Sequence, residues 1–147
     1  MRSLLVIALF IFSVNGVNAQ QKEGSSIFST IKKGIASFYH DKFEGRKTAT
    51  GEIFDNDKFT AASNTLKLGS YVKVTNVSNG QVIYVRVNDR MNKSNQRLID
   101  LASVAAKKLK FEKNGIAKVK VEPVSENEGR KAILAQNGFQ AVQKNEF

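Results

Sequence analysis

Residues 71–90 read Y-V-K-V-T-N-V-S-N-G-Q-V-I-Y-V-R-V-N-D-R and carry the clearest structural signal in the chain. Apolar and polar side chains alternate over residues 71–75, as they do in a strand with one buried face. Asn79 and Gly80 then supply a turn, because both residues tolerate positive φ and favour hairpins. Residues 82–88 are rich in β-branched side chains. The stretch therefore predicts two antiparallel strands joined by a turn.

Strand signals continue on both sides of this hairpin. Residues 116–124 place Val119 and Val121 on one face, and residues 34–39 and 59–62 are shorter candidates. A chain of many short strands must cover its strand edges, and a small closed barrel does so. We therefore predict an all-β fold.

One short helix is predicted after residue 100. Asp100 can cap it, since a carboxylate accepts hydrogen bonds from the free N–H groups at a helix start. Asn114 and Gly115 end the pattern. The apolar face of the helix comprises Leu101, Val104, Ala105 and Leu109.

The N-terminus has the pattern of a secretory signal peptide. Arg2 gives one positive charge, residues 4–14 are almost entirely apolar, and Val17-Asn18-Ala19 offers small or short residues at the positions that a signal peptidase reads. The alternative, an uncleaved membrane anchor, would need about 20 apolar residues. We divide the chain into a signal peptide (1–19), a linker (20–33), a folded domain (34–124) and a polar tail (125–147) without a structural assignment.

Composition restricts the partners. The chain has a formal net charge of +10 and no cysteine. It can therefore form no disulfide and carry no lipid on cysteine, and we expect no membrane anchor in the mature form. A basic surface favours an anionic partner such as the carboxylate-rich cell wall, although a charge that serves only solubility is the alternative. Dense basic runs interleaved with aromatic residues do not occur, which argues against nucleic acid.

Carboxylates are the candidate reactive groups. Alternation places Asp89 on the same strand face as Val85 and Val87, at the point where the core opens. Partial desolvation there would favour the protonated carboxyl that a general acid requires. The alternative is that Asp89 caps a loop or pairs with Arg86, Arg90 or Arg97.

The remaining polar residues give weaker signals. Capping explains Asp100, and an exposed turn after Gly51 explains Glu52. His40 is the single histidine, and without cysteines it forms a zinc site only if carboxylates contribute. We predict neither a metal ion nor a cofactor.

Several segments, taken in order, resemble the domain of the rare lipoprotein A (RlpA) family of peptidoglycan lytic transglycosylases. The V-R-V-N-D-R block is the most specific of them. The segments include G-I-A-S-F-Y (34–39), F-E-G-R-K-T-A-T-G-E (43–52), F-T-A-A (59–62), V-R-V-N-D-R (85–90) and R-L-I-D-L-A (97–102).

The resemblance implies a six-stranded double-psi β-barrel with an open groove for peptidoglycan glycan strands. It implies an endolytic transglycosylase that cleaves between N-acetylmuramic acid and N-acetylglucosamine and leaves 1,6-anhydro ends. By motif position, Asp89 matches the catalytic aspartate, while Glu52 and Asp100 match carboxylates on which activity depends in the family or in expansin-like relatives. The matching candidates for substrate binding are Tyr39, Ser63, Asn88 and Arg90.

One motif position departs from the family. Ser63 stands where the family has the histidine of T-A-A-H, and serine cannot carry a positive charge or relay a proton as imidazole does. Two alternatives to an enzyme follow: a non-catalytic, expansin-like module that binds or loosens the wall, and a secreted protein that engages a protein partner through the same groove. In each case we expect an exported monomer, periplasmic or secreted.

The first prediction concerns processing. Because the apolar run is too short to span a bilayer, cleavage after Ala19 is expected to leave Gln20 at the N-terminus of exported protein. N-terminal sequencing checks this, and an intact Met1 would contradict it.

Overall fold

A computed structural model describes residues 30–144. The predicted signal peptide, most of the predicted linker and the last three residues lie outside this range. The strands are β1 (Lys32–Phe38), β2 (Thr60–Ala62), β3 (Tyr71–Asn76), β4 (Val82–Asp89), β5 (Ile99–Leu101) and β6 (Ala117–Val124). The helices are α1 (Ser103–Lys108) and α2 (Glu126–Lys144), and a single 3-10 turn spans Asp41–Phe43.

The six strands close into a barrel in the order β1-β5-β2-β4-β3-β6. The β1–β5 and β2–β4 pairs are parallel, whereas the other four pairs are antiparallel. The predicted hairpin is confirmed as β3 and β4, and Gly80 in its turn has a φ of 73°. β1 begins at Lys32, two residues before the predicted start of the domain.

β-branched side chains fill the interior of the barrel. Ile83, Val85 and Val87 of β4 have no exposed surface, nor does Val74 of β3. Each fully buried side chain of this size stabilises the fold by about 1.5–3 kcal/mol. Strand β4 therefore has one face fixed in the core as far as Val87, and a β-bulge against β2 separates this face from Asp89.

The predicted cap of the first helix is wrong. Asp100 lies in the middle of β5, and the residue before the helix is Ala102, whose side chain cannot accept a hydrogen bond. The Asn56 side chain, from a distant loop, accepts a hydrogen bond from the Ser103 N–H at 2.9 Å instead. A remote residue thus satisfies the helix start, and Asp100 remains available for other contacts.

Helix α2 covers residues 126–144 of the tail that has no predicted structure. Its Gln136 side chain exchanges two hydrogen bonds with the backbone of Tyr84, at 2.7 and 2.9 Å. Strand β2 pairs with β4 only from Arg86 onward, so the Tyr84 backbone lies on an edge that no strand covers. Gln136 therefore takes the place of the missing strand. Within residues 30–144, no helix is long and apolar enough to cross a membrane.

The two glycines of α2 differ in how closely they approach the barrel. A Cβ atom at Gly129 would overlap the Tyr71 side chain, whereas a Cβ at Gly138 would meet nothing within 4 Å. Alanine favours a helix over glycine by about 1 kcal/mol. We expect Gly138→Ala to raise the free energy of unfolding and Gly129→Ala to lower it by about 1–3 kcal/mol through overpacking. Denaturant titration measures both; stabilisation by both substitutions would contradict the docking of α2.

Candidate functional site

Strand register brings Asp89 and Asp100 to one level of the barrel. Asp89 on β4 is paired with Ala62 on β2, Ala62 with Asp100 on β5, and Asp100 with Ser37 on β1. Neighbouring strands lie about 4.8 Å apart, so two strand spacings put the backbones of the two aspartates about 10 Å from each other. One row of paired residues thus carries two of the three carboxylates that the sequence predicted.

The Asp89 carboxylate is held by three donors. Its Oδ1 accepts the backbone N–H groups of Ala49 at 2.9 Å and Arg90 at 2.8 Å. Its Oδ2 accepts the Tyr39 hydroxyl at 3.1 Å. Because Oδ1 already has two donors, Oδ2 is the oxygen that can exchange a proton with a substrate. No arginine among residues 30–144 forms a salt bridge with Asp89, contrary to the pairing considered from sequence, whereas the bond from the Ala49 N–H is the loop cap that the same alternative named.

Tyr39 is a neutral hydrogen-bond donor to Asp89. Its ring packs edge-on against Phe43, with centroids 5.5 Å apart, and tilts against Phe54 at 4.7 Å. Burial, the negative charge of Asp89 and the hydrogen bond between the two side chains raise the pKa of Tyr39 well above its usual value. The hydroxyl therefore keeps its proton throughout the neutral range.

Asp100 is locked in an ion pair. Arg97 donates from Nε to Oδ1 at 2.8 Å and from Nη2 to Oδ2 at 2.9 Å, the fork geometry of a bidentate pair. The Ser37 hydroxyl donates to Oδ1 at 3.0 Å, and Asp100 is only 8% exposed. These hydrogen bonds raise the pKa of Arg97 further above its usual value. Asp100 is therefore suited to fixing the groove wall and less suited to transferring a proton.

An open groove of about 740 Å³ runs past both aspartates. Four basic side chains line the groove, against two acidic ones, Asp89 and Asp100. Phe43 and the exposed Ile116 add apolar surface. The basic residues that line it are Arg46, Lys47, Arg90 and Arg97, with His40 beside them.

Glu52 lies on the other face of β4. Arg86 and Asn88, which alternate with the buried valines, both donate to its carboxylate, Asn88 at 3.0 Å. Hydrogen bonds from Arg86 and then Asn88 lower the pKa of Glu52 below its usual value, so it is ionised at neutral pH. Glu52 lines a separate cleft of about 610 Å³ between the barrel and α2, which we call the α2 cleft. The structure therefore does not bring Glu52 into the groove with Asp89.

Two of the residues predicted to bind substrate are turned away from the groove. Ser63 has no exposed surface; its hydroxyl donates to the Leu98 carbonyl at 2.8 Å and accepts two backbone N–H groups of its own turn. Asn88 is 3% exposed and bonds to Glu52. Neither has surface left for a glycan, so both assignments are corrected here to structural roles. Tyr39 and Arg90 do line the groove.

Sequence reasoning missed three contributors to the site. Arg97 forms the bidentate pair with Asp100, Arg86 holds Glu52, and Ala49 acts through its backbone N–H. Arg97 lies three residues before Asp100, a spacing that could have suggested the pair; the other two act across 34 and 40 residues. In residues 30–144, no cluster of three or more His, Cys, Asp or Glu side chains could hold a metal ion.

A family model described as "Lytic transglycolase" matches residues 31–121. The chain belongs to this lytic transglycolase family. The matched region contains the whole groove and ends before α2 begins at Glu126.

Curated relatives agree with the family match. "Endolytic peptidoglycan transglycosylase RlpA" of Haemophilus influenzae is 46% identical over 111 residues, covering 76% of this chain and 39% of the relative. The protein of the same name from Pseudomonas aeruginosa is 52% identical over 91 residues, covering 62% of this chain and 27% of the relative. The chain spans less than half of the length of these relatives.

Solved structures confirm the double-psi β-barrel. The "Streptomyces papain inhibitor" superposes with a TM-score of 0.51 at 26% identity, covering 65% of this chain and 94% of the inhibitor. An expansin from Clavibacter michiganensis superposes with a TM-score of 0.53 at 20% identity, covering 65% of this chain and 51% of the expansin.

The Tyr39–Asp89 contact predicts a titration that needs no substrate. The charge of Asp89 and its hydrogen bond both raise the pKa of Tyr39, so Asp89→Asn should lower it, although burial keeps it above the usual value. NMR of tyrosine labelled with ¹³C at Cζ follows the three tyrosines separately, and Tyr39→Phe identifies the signal. An unchanged Tyr39 titration in Asp89→Asn would contradict the contact.

Because the folded state holds the Tyr39 proton more tightly than the unfolded state, the free energy of unfolding should fall as the pH rises past the usual tyrosine pKa.

Proposed function

We propose that this protein acts outside the cytoplasm as an endolytic peptidoglycan lytic transglycosylase, with Asp89 as its general acid and base. The observation that carries the proposal is the arrangement of Asp89 in the groove, with two backbone N–H donors on Oδ1 and the Tyr39 hydroxyl as the one donor on Oδ2. Membership of the lytic transglycolase family and the names of the curated relatives support it.

The first step would break the bond between the anomeric carbon of N-acetylmuramic acid and the oxygen of the next N-acetylglucosamine. Protonated Asp89 gives its Oδ2 proton to that oxygen, which leaves as a hydroxyl. Positive charge develops on the sugar ring as the bond breaks. The Asp89 carboxylate that results is stabilised by its three hydrogen-bond donors.

The second step would close the 1,6-anhydro ring without water. The C6 hydroxyl oxygen of the same muramic acid forms a bond to its anomeric carbon, and the hydroxyl proton passes to Oδ2 of Asp89. Asp89 returns to its protonated form, so the proton balance closes within one turnover. One carboxyl group serves both steps, whereas most glycosidases need two.

The other groove residues suit an anionic glycan. Arg46 and Lys47 have no salt bridge with an acidic residue in the described part of the chain, so their charge is available to carboxylates of the wall. The Asp100–Arg97 pair, fixed by Ser37, lines the same groove two strands from Asp89 and would orient sugars through hydrogen bonds. A monomer is sufficient for this chemistry, since one chain supplies the whole groove.

Analysis of released products tests the proposal. The mature protein should release fragments with 1,6-anhydro-muramic ends from peptidoglycan, and Asp89→Asn should lower the rate by about 100- to 10,000-fold, the usual contribution of a general acid–base group. Mass spectrometry of products from intact and peptide-stripped peptidoglycan measures both. Asp57→Asn, an exposed aspartate outside the groove, is the matched control. Full activity of Asp89→Asn would overturn the mechanism.

One observation favours a second candidate, a non-catalytic module that binds or loosens the wall. The position of the family histidine carries the buried Ser63, which offers no titratable group. Under this alternative, folded wild-type protein binds insoluble peptidoglycan in a pull-down but releases no anhydro products. Release of such products by the wild type would exclude it.

A further inference from the structure

The turn between Lys47 and Ile53 forms hydrogen bonds with the end of β4 on both of its faces. The two residues form an isolated antiparallel bridge, and Thr48 N–H donates to the Glu52 carbonyl at 2.8 Å. Gly51, with a φ of 86°, donates to the Thr48 carbonyl at 2.9 Å. The turn is therefore a closed loop whose parts move together.

The two sides of this turn make different contacts with β4. On the outer face, the Glu52 carboxylate receives Arg86 and Asn88. At the end of the strand, the Ala49 N–H donates to Asp89 Oδ1 at 2.9 Å. The Thr50 N–H donates to the Asn88 carbonyl at 3.2 Å. Arg86 thus connects to Asp89 through Glu52 and the turn, although its own side chain lines the α2 cleft and not the groove.

The Ala49 N–H is the donor that this connection controls. Of the three donors to Asp89, the Arg90 N–H is set by the adjoining backbone and the Tyr39 hydroxyl by its packing against Phe43 and Phe54. The Ala49 N–H comes from the turn, whose side-chain anchor on the outer face of β4 is Glu52. Release of Glu52 would therefore loosen the contact that keeps Oδ1 occupied.

We infer that Arg86 is a positioning residue for Asp89, acting through Glu52 and the turn over residues 47–53. The inference rests on the proposed function for its kinetic consequence, but its geometry can be tested without substrate. It also gives Glu52 a role: this carboxylate supports Asp89 from the opposite face of β4 and does not touch the glycan.

The structural test follows the Ala49 amide by NMR. In the wild type, this amide should be protected from hydrogen exchange and should respond to Asp89→Asn, because it donates to that carboxylate. Arg86→Met keeps an unbranched side chain but removes the charged one of the two donors that hold Glu52, and it should lower the protection of Ala49 at least ten-fold; Arg86→Lys should restore part of it. Arg130→Met is the matched control, since Arg130 lines the same cleft but pairs with Glu126.

The kinetic test uses soluble glycan strands. Arg86→Met should lower kcat by about 10- to 100-fold, as misplacement of a catalytic group does, with KM nearly unchanged because Arg86 lies outside the groove. Arg130→Met should leave both constants unchanged. Surface ion pairs contribute little to stability, so a purely structural role for Arg86 would move neither kcat nor the Ala49 amide.

The outcomes separate the two proposals. If Arg86→Met is folded and leaves both Ala49 protection and kcat at wild-type values, the positioning role is wrong while the transglycosylase proposal stands. If Ala49 loses protection but the wild type releases no anhydro products, the positioning geometry stands and the proposed function fails. Should Arg86→Met fail to fold, Arg86→Lys and Glu52→Gln decide: unchanged Ala49 protection in both would overturn the inference.

Discussion

The register of a single row across four strands determines the site. Asp89, Ala62, Asp100 and Ser37 are consecutive partners in that row, and each belongs to a different strand. A β-bulge lies between the buried valines and Asp89: Ala61 pairs with Val87 but Ala62 pairs with Asp89, so that Asn88 is the extra residue of β4. The zero exposure of Val85 and Val87 fixes the register of β4 up to this bulge, since a slip of one residue would expose both of them. Burial of apolar side chains and the bulge together thus determine where the carboxylate emerges.

The two faces of β4 make different contributions to the site. The inner face packs in the core up to Val87, and Asp89, beyond the bulge, accepts hydrogen bonds from three neutral donors: a phenol and two backbone N–H groups. The outer face carries the ion pair of Arg86 with Glu52, which lies away from the groove. The basic residues of the groove line the same cavity as Asp89, but none of them forms a salt bridge with it in the described part of the chain.

The sequence predicted the elements that repeat a local pattern and missed those set by distant partners. Strands β3, β4 and β6 are long enough to show alternation, and the barrel was inferred from them. Strand β5 has three residues, all buried, so no alternation exists to be read, and its pairing with β1 and β2 prevails over the local tendency of Asp100 to cap a helix. Helix α2 was missed because Gly129 and Gly138 weaken the helical signal, although Gly129 is needed where the helix meets Tyr71. Motif resemblance located Asp89 and Asp100, but it could not reveal that Glu52 faces a different cleft.

The buried serine at position 63 connects the segments around the two aspartates. Its hydroxyl closes its own turn and donates to the Leu98 carbonyl, next to the first residue of β5. The Ser63 carbonyl, together with that of Leu66, accepts the guanidinium of Arg90, the residue after Asp89. Ser63 therefore connects the segment before β5, which carries Asp100, to the residue that follows Asp89. Under the proposed mechanism no second group beside Asp89 changes its protonation, since Tyr39 keeps its proton and Asp100 stays paired, so each proton given to the leaving sugar must be recovered from the C6 hydroxyl by the same oxygen.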